Sequence, residues 1–175
     1  PAPRTVPTNG PGARQAYPEP PGAGRAVDML VSARYAGDIK GPPKILTGPC
    51  HRFSDVARKV VSSINLASVR AIADMVDRPV DPLRFRANLY VEGWPAWHEF
   101  ELVDRNITIG ETKLRVVKRI TRCAAVNVDP DTGARDLSIP NTLMRRLGHN
   151  ECGIYAEVID GGASGAGAAV AATEL

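Results

Sequence analysis

The sequence is poor in cysteine, and this scarcity excludes several kinds of site. Its 175 residues include three cysteines, Cys50, Cys123 and Cys152, with no CxxC pair among them. An odd, scattered set argues against a disulfide framework and predicts a reducing compartment. An iron–sulfur cluster usually takes about four thiolates. We therefore expect a cytoplasmic protein that carries no iron–sulfur cluster of its own.

The sequence also lacks the patterns of zinc, membrane and nucleic-acid sites. Its three histidines, His51, His98 and His149, show no zinc-ligand spacing with the cysteines. No apolar run approaches the roughly 20 residues of a membrane span. The net charge of +3 fits an anionic ligand but is weak evidence for nucleic acid. We therefore expect neither a membrane nor a nucleic-acid partner.

Composition changes near residue 50. Residues 1–50 are rich in proline and glycine, most densely at Pro18-Glu19-Pro20-Pro21-Gly22. That composition predicts an extended or disordered segment, or the remnant of a larger fold. The rest of the chain has the length and composition of one domain with a hydrophobic core. We therefore place an N-terminal segment at 1–50 and a single domain at 51–175.

From residue 59 onward, short strand signals alternate with turn residues. Residues 59–65 are typical of a strand, later strands are marked by apolar pairs, and the tail after residue 162 offers only the β-compatible Val170. The pairs are Leu89 with Val91, Ile107 with Ile109, Leu114 with Val116, and Ile154 with Ala156 and Val158. Strand signals about every ten residues favour a barrel over a layered sheet. We predict a mainly β fold: a β-barrel with a few short helices (α+β).

Two stretches predict helices. In the first, apolar residues three and four apart form one amphipathic face. These residues are Leu66, Val69, Ile72, Ala73 and Val76. Either Asn65 or Ser68 is expected to cap this helix. The second helix is expected to bury Leu143 and Leu147 and to stop at Gly148.

Cys123 is the first candidate for chemistry. A thiolate is a soft metal ligand, and it binds only when deprotonated. Arg122 is adjacent, but neighbouring side chains on a strand point to opposite faces. Direct help from Arg122 therefore requires that Cys123 lie on a loop or at a strand end. The alternative is a buried structural thiol that packs as a small hydrophobe.

Basic residues cluster just before Cys123 and form a second candidate. The cluster consists of Lys113, Arg115, Lys118, Arg119 and Arg122. It is either a solvated strand face or an anion site, for which the planar fork of arginine is well suited. Arg86 and Asn88 are spaced to share one face of a strand and could present donors to a ligand. The alternative is a structural polar pair, with Arg84 fixing the adjacent loop.

Three further features have competing interpretations. Tyr155 on the last clear strand is either half-buried packing or a ligand contact. Trp94 and Trp97 could stack a flat substrate or pack against a turn. Asp129-Pro130-Asp131-Thr132-Gly133 contains two carboxylates, the groups of acid–base catalysis. Because this pentapeptide has the chemistry of a type I turn followed by a glycine with positive φ, we assign it no catalysis.

Taken together in order and spacing, several runs resemble the MOSC family, the domain related to the C-terminal part of molybdenum-cofactor sulfurase and to the amidoxime-reducing component. The resemblance covers about residues 53–162. It rests on Ser63-Ile64-Asn65-Leu66-Ala67-Ser68-Val69, Arg84-Phe85-Arg86-Ala87-Asn88, Ile109-Gly110-Glu111, Thr121-Arg122-Cys123, Asp129-Pro130-Asp131-Thr132-Gly133 and Gly153-Ile154-Tyr155. The family implies a β-barrel with the molybdenum cofactor in a cleft, in some annotations also pyridoxal phosphate binding, and here a bacterial origin.

The resemblance also implies roles for particular residues. Cys123 matches the thiolate ligand to molybdenum and is the expected catalytic residue. The residues expected to bind the cofactor are Arg86, Asn88, Thr121, Arg122 and Tyr155. In the reductase relatives the metal reduces N-hydroxylated small molecules such as amidoximes and hydroxylamines.

Other implications concern partners and the N-terminal region. Electrons are expected from a separate flavin or iron–sulfur protein. The reductases also carry an N-terminal β-barrel region, of which residues 1–50 would be a remnant. Two alternatives stay open: a non-enzymatic carrier of cofactor or sulfur through Cys123, and a barrel that binds no cofactor.

Overall fold

The computed structural model describes residues 2–5 and 58–173. The predicted N-terminal segment lies outside these residues, apart from residues 2–5, and so does the predicted boundary at residue 51. Both stay predictions. Neither helix longer than one turn in the described part has the length and apolarity to cross a bilayer.

A single seven-stranded sheet dominates the described part of the chain. Its strands are β1 (Arg4–Thr5), β2 (Val61–Asn65), β3 (Leu89–Glu92), β4 (Asn106–Ile109), β5 (Thr112–Thr121), β6 (Glu151–Asp160) and β7 (Val170–Thr173). Their order is β1-β3-β2-β6-β5-β4-β7, and every pair is antiparallel except β2 with β3. Arg4 bridges Ala169, so the two ends of the order meet. The prediction of a mainly β barrel with a few helices is confirmed.

Two α-helices pack outside the sheet, α1 (Leu66–Val76) and α2 (Ile139–Leu147). The side chain of Asn65 caps α1 by accepting from the N–H of Ala67 at 3.0 Å. Gly148 ends α2 in the left-handed conformation, as expected. Leu143 is fully buried, but Leu147 is 37% exposed. The expectation that Leu147 faces inward is wrong, because this last helical residue lies beyond the buried cluster that Leu143 joins.

Three one-turn 3-10 helices connect these elements and shape the region around Cys123. We call them the Arg84 turn (Pro82–Phe85), the Phe100 turn (His98–Leu102) and the Cys123 turn (Ala124–Asn127). Cys123 is the residue that caps the last of them at its N-terminal end. The Arg84 turn begins with a carboxylate cap, since Asp81 accepts from the N–H of Leu83 at 2.8 Å.

The core has two parts, and β6 contributes to both. Cys152 packs with Phe85 and the buried faces of α1 and α2. Two residues later, Ile154 packs with the barrel interior, which includes Val116 of β5. Gly153 lies between them with φ of +78°. At Gly153, β6 therefore passes from the part of the core that contains Cys152 to the part that contains Ile154.

Candidate functional site

A cleft of about 580 Å³ opens over the β5–β6 ladder. It is lined by Val103, Lys118, Arg119, Thr121, Glu151 and Tyr155. Register explains the grouping, because Lys118 pairs with Tyr155 and Thr121 pairs with Glu151 across the two strands. Two residues expected from the sequence, Thr121 and Tyr155, therefore share one cleft.

The two cations of the cleft differ in how far they are neutralised. Arg119 contacts Glu151 at 3.3 Å and lies 4.4 Å from the centre of the Phe100 ring. Lys118 lies 5.6 Å from the ring centre of Tyr155, within cation–π range. Among the described residues, Lys118 has no carboxylate partner. The ammonium of Lys118 is therefore the cation most available to an anionic ligand.

Cys123 lies two residues after the end of β5, and its thiol is exposed. This is the strand-end position that the sequence argument required. Cys152 is its opposite, because it is fully buried in the core and burial raises the pKa of its thiol. Of these two cysteines, only Cys123 can meet a ligand from solvent.

Arg122 is buried and bonds to the protein rather than lining the cleft. Its Nε donates to the carbonyl of Cys152 at 2.7 Å, and its Nη1 donates to the carbonyl of Phe85 at 3.0 Å. Burial lowers the pKa of this guanidinium, whereas the nearby thiol and phenol groups act in the opposite direction. The observed bonds give Arg122 a structural role; contact with a cofactor stays a prediction.

Gly153 makes room for the Arg122 side chain. A Cβ at this position would lie 2.9 Å from Arg122 Nη2 and 2.5 Å from the carbonyl oxygen of Ser63. The guanidinium therefore lies directly over the glycine backbone. A partial signal for this contact was present in the sequence, since the glycine belongs to the Gly153-Ile154-Tyr155 run.

The expectation that Arg86 and Asn88 share a strand face is wrong. Arg86 ends the Arg84 turn with φ of 49°, a left-handed conformation, and Asn88 precedes β3. Asn88 Oδ1 accepts from the N–H and the hydroxyl of Ser62 at 2.9 and 2.8 Å, which ties it to β2. The tight turn that ends at Arg86 leaves no strand over residues 86–88. Arg86 is exposed, so its guanidinium can still meet a ligand.

The carboxylate of Asp129 is structural, in agreement with the turn interpretation. Asp129 Oδ1 accepts from the N–H of Thr132 at 2.8 Å, and these bonds, with help from Arg84, lower the pKa of its carboxyl. Gly133 has φ of +73°, as predicted. Arg84 Nη2 bonds the other oxygen of Asp129 at 2.9 Å. The Arg84 contact lies beyond the reach of local sequence reasoning.

Glu99 in the Phe100 turn is a buried residue that the sequence did not reveal. Its carboxylate accepts from Asn65 Nδ2 at 2.9 Å and from the Ser68 hydroxyl at 2.8 Å. Burial raises the pKa of this carboxyl. These bonds anchor the Phe100 turn. The ring of Phe100 in turn packs against the guanidinium of Arg119 beside the cleft. No local pattern marks an isolated glutamate as buried.

The two tryptophans have different surroundings. Trp94 is 8% exposed and belongs to the barrel core, which supports packing over substrate stacking. Trp97 is half-buried, with its ring 5.8 Å from that of Phe100 and 6.3 Å from that of His149. Its backbone N–H donates to Ser68 Oγ at 2.8 Å. Both tryptophans therefore have structural partners.

The described residues around the cleft offer a cation and, close by in the sequence, a thiol. In the described ranges, no group of three or more His, Cys, Asp or Glu side chains is placed to hold a metal ion. Among the described residues, the exposed thiol of Cys123 follows Thr121, which lines the cleft, by two positions, and the Lys118 ammonium lies in that cleft. An ammonium can meet an anionic group and a thiolate can ligate a soft metal, so these two residues fit a cofactor that contains both.

The described residues form a barrel with a polar cleft over two long strands, and the exposed thiol of Cys123 follows the end of one of these strands. The fold and the comparison with family models then agree. The chain belongs to the MOSC domain family, whose model matches residues 43–171.

Two characterised relatives share part of the sequence. The chain is 37% identical over 78 residues to molybdenum cofactor sulfurase of Caenorhabditis briggsae. It is 31% identical over 93 residues to mitochondrial amidoxime-reducing component 1 of Mus musculus. These matches cover 43% and 53% of this chain but only 11% and 26% of the two relatives.

A solved structure shares the fold. YiiM from Geobacillus stearothermophilus superposes with a TM-score of 0.52 at 16% identity, covering 65% of this chain and 54% of that one. At this identity the likeness shows the architecture alone.

Proposed function

We propose that this domain binds the molybdenum cofactor, with Cys123 as a thiolate ligand to the metal, and that it reduces N-hydroxylated small molecules. The observation that carries the proposal is the exposed thiol of Cys123 at the end of β5, the strand that forms one side of the cleft. Similarity to a molybdenum cofactor sulfurase and to an amidoxime-reducing component supports the choice of cofactor.

Different residues are expected to contact different parts of the cofactor. Lys118 offers a free ammonium for the phosphate end of the cofactor, and Arg119 adds a second, partly neutralised cation. Thr121 and Tyr155 offer hydroxyl groups that can donate or accept along the cleft. The exposed Arg86 lies beside Phe85, whose carbonyl is bonded by Arg122, so it is a further cation near the same strand end.

When bound, the cofactor would supply a redox-active metal for the two-electron, two-proton reduction of an N–OH group to N–H and water. The protein side of the reaction is to fix the thiolate of Cys123 and to orient the substrate in the cleft. The Tyr155 hydroxyl is the group we expect to hydrogen-bond a polar atom of the bound ligand, because the adjacent Lys118 holds its ring. We propose a separate flavin or iron–sulfur protein as the electron donor.

A second function is supported by the same thiol. An exposed cysteine can also carry a transferable sulfur as a persulfide, and one relative is named a sulfurase. In that case Cys123 is a carrier rather than a permanent metal ligand, and no N–O reduction is expected.

The test is elemental analysis of molybdenum in the full-length protein, produced in a host that makes the cofactor. We expect near-stoichiometric metal that falls strongly in Cys123→Ser. Lys118→Ala should also lower the content, whereas Lys113→Ala is the matched control, since that lysine pairs with Asp160 away from the cleft.

The reaction and the alternative are separated by two further measurements. Turnover of a hydroxylamine with an artificial reductant supports the reductase. A persulfide on Cys123 found by mass spectrometry, without turnover, supports the carrier. No metal in the full-length protein contradicts the cofactor proposal.

A further inference from the structure

We propose that Arg84 is a positioning residue for Cys123: its buried guanidinium holds the far end of the turn that Cys123 begins. The inference rests on the proposed function only for what the thiol does once it is in place. The placement itself can be tested on metal-free protein.

The Arg84 guanidinium joins three separate residues of the connection between β5 and α2, residues 122–138, which we call the Cys123 loop. Nη1 donates to the carbonyl of Asn127 at 3.1 Å and to Asp136 Oδ1 at 2.8 Å, and Nη2 donates to Asp129 Oδ2 at 2.9 Å. Asn127 is the last residue of the Cys123 turn. Its side chain accepts from the N–H of Ile139 at 2.8 Å, so the same residue also connects to α2.

The near end of the turn is held by the residue before Cys123. The backbone N–H of Arg122 donates to the carbonyl of Asn150 at 2.9 Å, and Asn150 Nδ2 donates to the carbonyl of Arg122 at 3.1 Å. The Arg122 side chain bonds the carbonyl of Phe85. Phe85 follows Arg84 directly, so both ends of the Cys123 turn are attached to the Arg84 turn.

This arrangement explains how an exposed thiol keeps a defined position. The Cys123 side chain is exposed and makes no hydrogen bond to other described residues. Its placement therefore depends on its backbone, whose carbonyl accepts from the N–H of Val126 at 3.3 Å within the turn. If the Asn127 end is released, the turn that sets the direction of the thiol loses its outer anchor.

Arginine is the side chain that this position requires. The Arg84 side chain is only 3% exposed, so its charge must be compensated, and the carboxylates of Asp129 and Asp136 provide this. A planar guanidinium can bond the carbonyl of Asn127 and both carboxylates at once, whereas a lysine ammonium offers a single nitrogen. Lysine at this position is therefore expected to keep the charge and lose part of the attachment.

Arg78 provides a matched control. It bonds the same Asp136, through the carbonyl at 2.9 Å and through Oδ2 at 3.2 Å, but its side chain is 54% exposed. It has no bond to Asn127 or Asp129 among the described residues. Arg78→Met therefore removes an ion pair of the same loop without releasing the Cys123 turn.

The first measurement is hydrogen exchange on the full-length, metal-free chain. In Arg84→Met we expect the amides of Val126 and Val128 to exchange at least about tenfold faster, while the amide of Val116 in the barrel keeps its rate. Arg84→Lys should show the same local change with smaller size, and Arg78→Met should show none. If Arg84→Met does not fold, Arg84→Lys alone decides the question.

The second measurement reports the mobility of the Cys123 side chain. A nitroxide spin label on Cys123, in a Cys50→Ser background, should show a rotational correlation time shortened by about twofold or more in Arg84→Met or Arg84→Lys. Cys152 is buried and is not expected to react. Unchanged label mobility, or equal acceleration of exchange at Val116 and Val126, overturns the proposal. Absence of molybdenum from the wild-type protein would contradict the proposed function and leave this result intact.

Discussion

Arg119 and Arg122 stand three positions apart in the sequence, yet they belong to different regions of the molecule. Arg119 lies on the exposed face of β5, where its partners are a ring and a surface carboxylate. Arg122 is buried and bonds two backbone carbonyls. The comparison extends to Lys118, which joins the exposed group, and to Arg84, which joins the buried one. Burial and partners, rather than proximity in a basic run, separate the cations that can bind a ligand from those that hold the Cys123 loop.

The largest loss of stability is expected when a buried arginine is replaced. Arg122→Met leaves the carbonyls of Phe85 and Cys152 without donors, and we expect a loss of about 4 kcal/mol in the free energy of unfolding. Arg115→Met is the control on the exposed face of the same strand, with an expected change within about 0.5 kcal/mol. Urea unfolding of both variants measures the difference. Equal losses would mean that burial does not separate the two groups.

The close packing around Gly153 gives the next largest effect. Gly153→Ala combines a positive φ with clashes against the backbone carbonyl of Ser63 and against Arg122 Nη2, and we expect a loss of about 3 kcal/mol in the free energy of unfolding. Gly133→Ala has a similar φ of +73° with open space around it, and should lose about 1 kcal/mol. Thermal unfolding at matched pH compares them. A loss in Gly153→Ala no larger than that in Gly133→Ala would contradict the close approach of Ser63 and Arg122 to this glycine.

A smaller effect is expected in the pH dependence of the free energy of unfolding. The pKa values of the Asp129 and Asp136 carboxyls are lowered in the folded protein, in part by Arg84. A carboxyl with a lowered folded pKa stabilises the fold while ionised, so its contribution is complete above the unfolded value of about 3.9 and is lost as pH falls through the folded value.

Unfolding of wild-type protein and Arg84→Met should therefore be compared from about pH 3 to about pH 7. The stability difference between them should be constant near neutrality and should shrink in acid. A difference that grows as the pH falls would contradict the ion-pair description of the loop.

The smallest effect on stability is expected in the exposed group. Lys118→Ala should change the free energy of unfolding by less than about 0.5 kcal/mol. The same variant should weaken binding of inorganic phosphate, and that weakening should diminish at high salt because the ammonium is exposed. Isothermal titration at two salt concentrations measures it, with Lys113→Ala as control. Phosphate affinity unchanged in Lys118→Ala would remove this lysine from the anion site.

The sequence was informative where local chemistry decides the structure. Helix α1, the Gly148 stop and the turn with Gly133 all follow from spacing and residue type, and Asn65 was one of the two residues predicted to cap α1. The sequence argument required that Cys123 lie on a loop or at a strand end, and the structure places it, exposed, just after β5. The β-barrel followed from the recurrence of short strands.

The sequence was less informative where distant segments meet. Strand β7 was missed beyond its Val170, because an Ala-rich strand is specified by its pairing with β4 rather than by its own pattern. The left-handed conformation of Arg86 follows from the preceding 3-10 helix. The bonds of Arg84 to Asp129 and Asp136 span more than 40 residues, and the burial of Glu99 depends on Asn65 and Ser68.

The measurement that tests the account most directly is X-ray absorption at the molybdenum edge, on full-length protein from a cofactor-producing host. We predict that the molybdenum that Cys123→Ser still retains has one sulfur ligand fewer than in the wild-type protein, and that the variant has an unchanged free energy of unfolding. The buried-group variant Arg84→Lys should retain the sulfur ligand in only part of the sample. Identical sulfur coordination in wild type and Cys123→Ser would contradict the claim that Cys123 is a ligand to the metal.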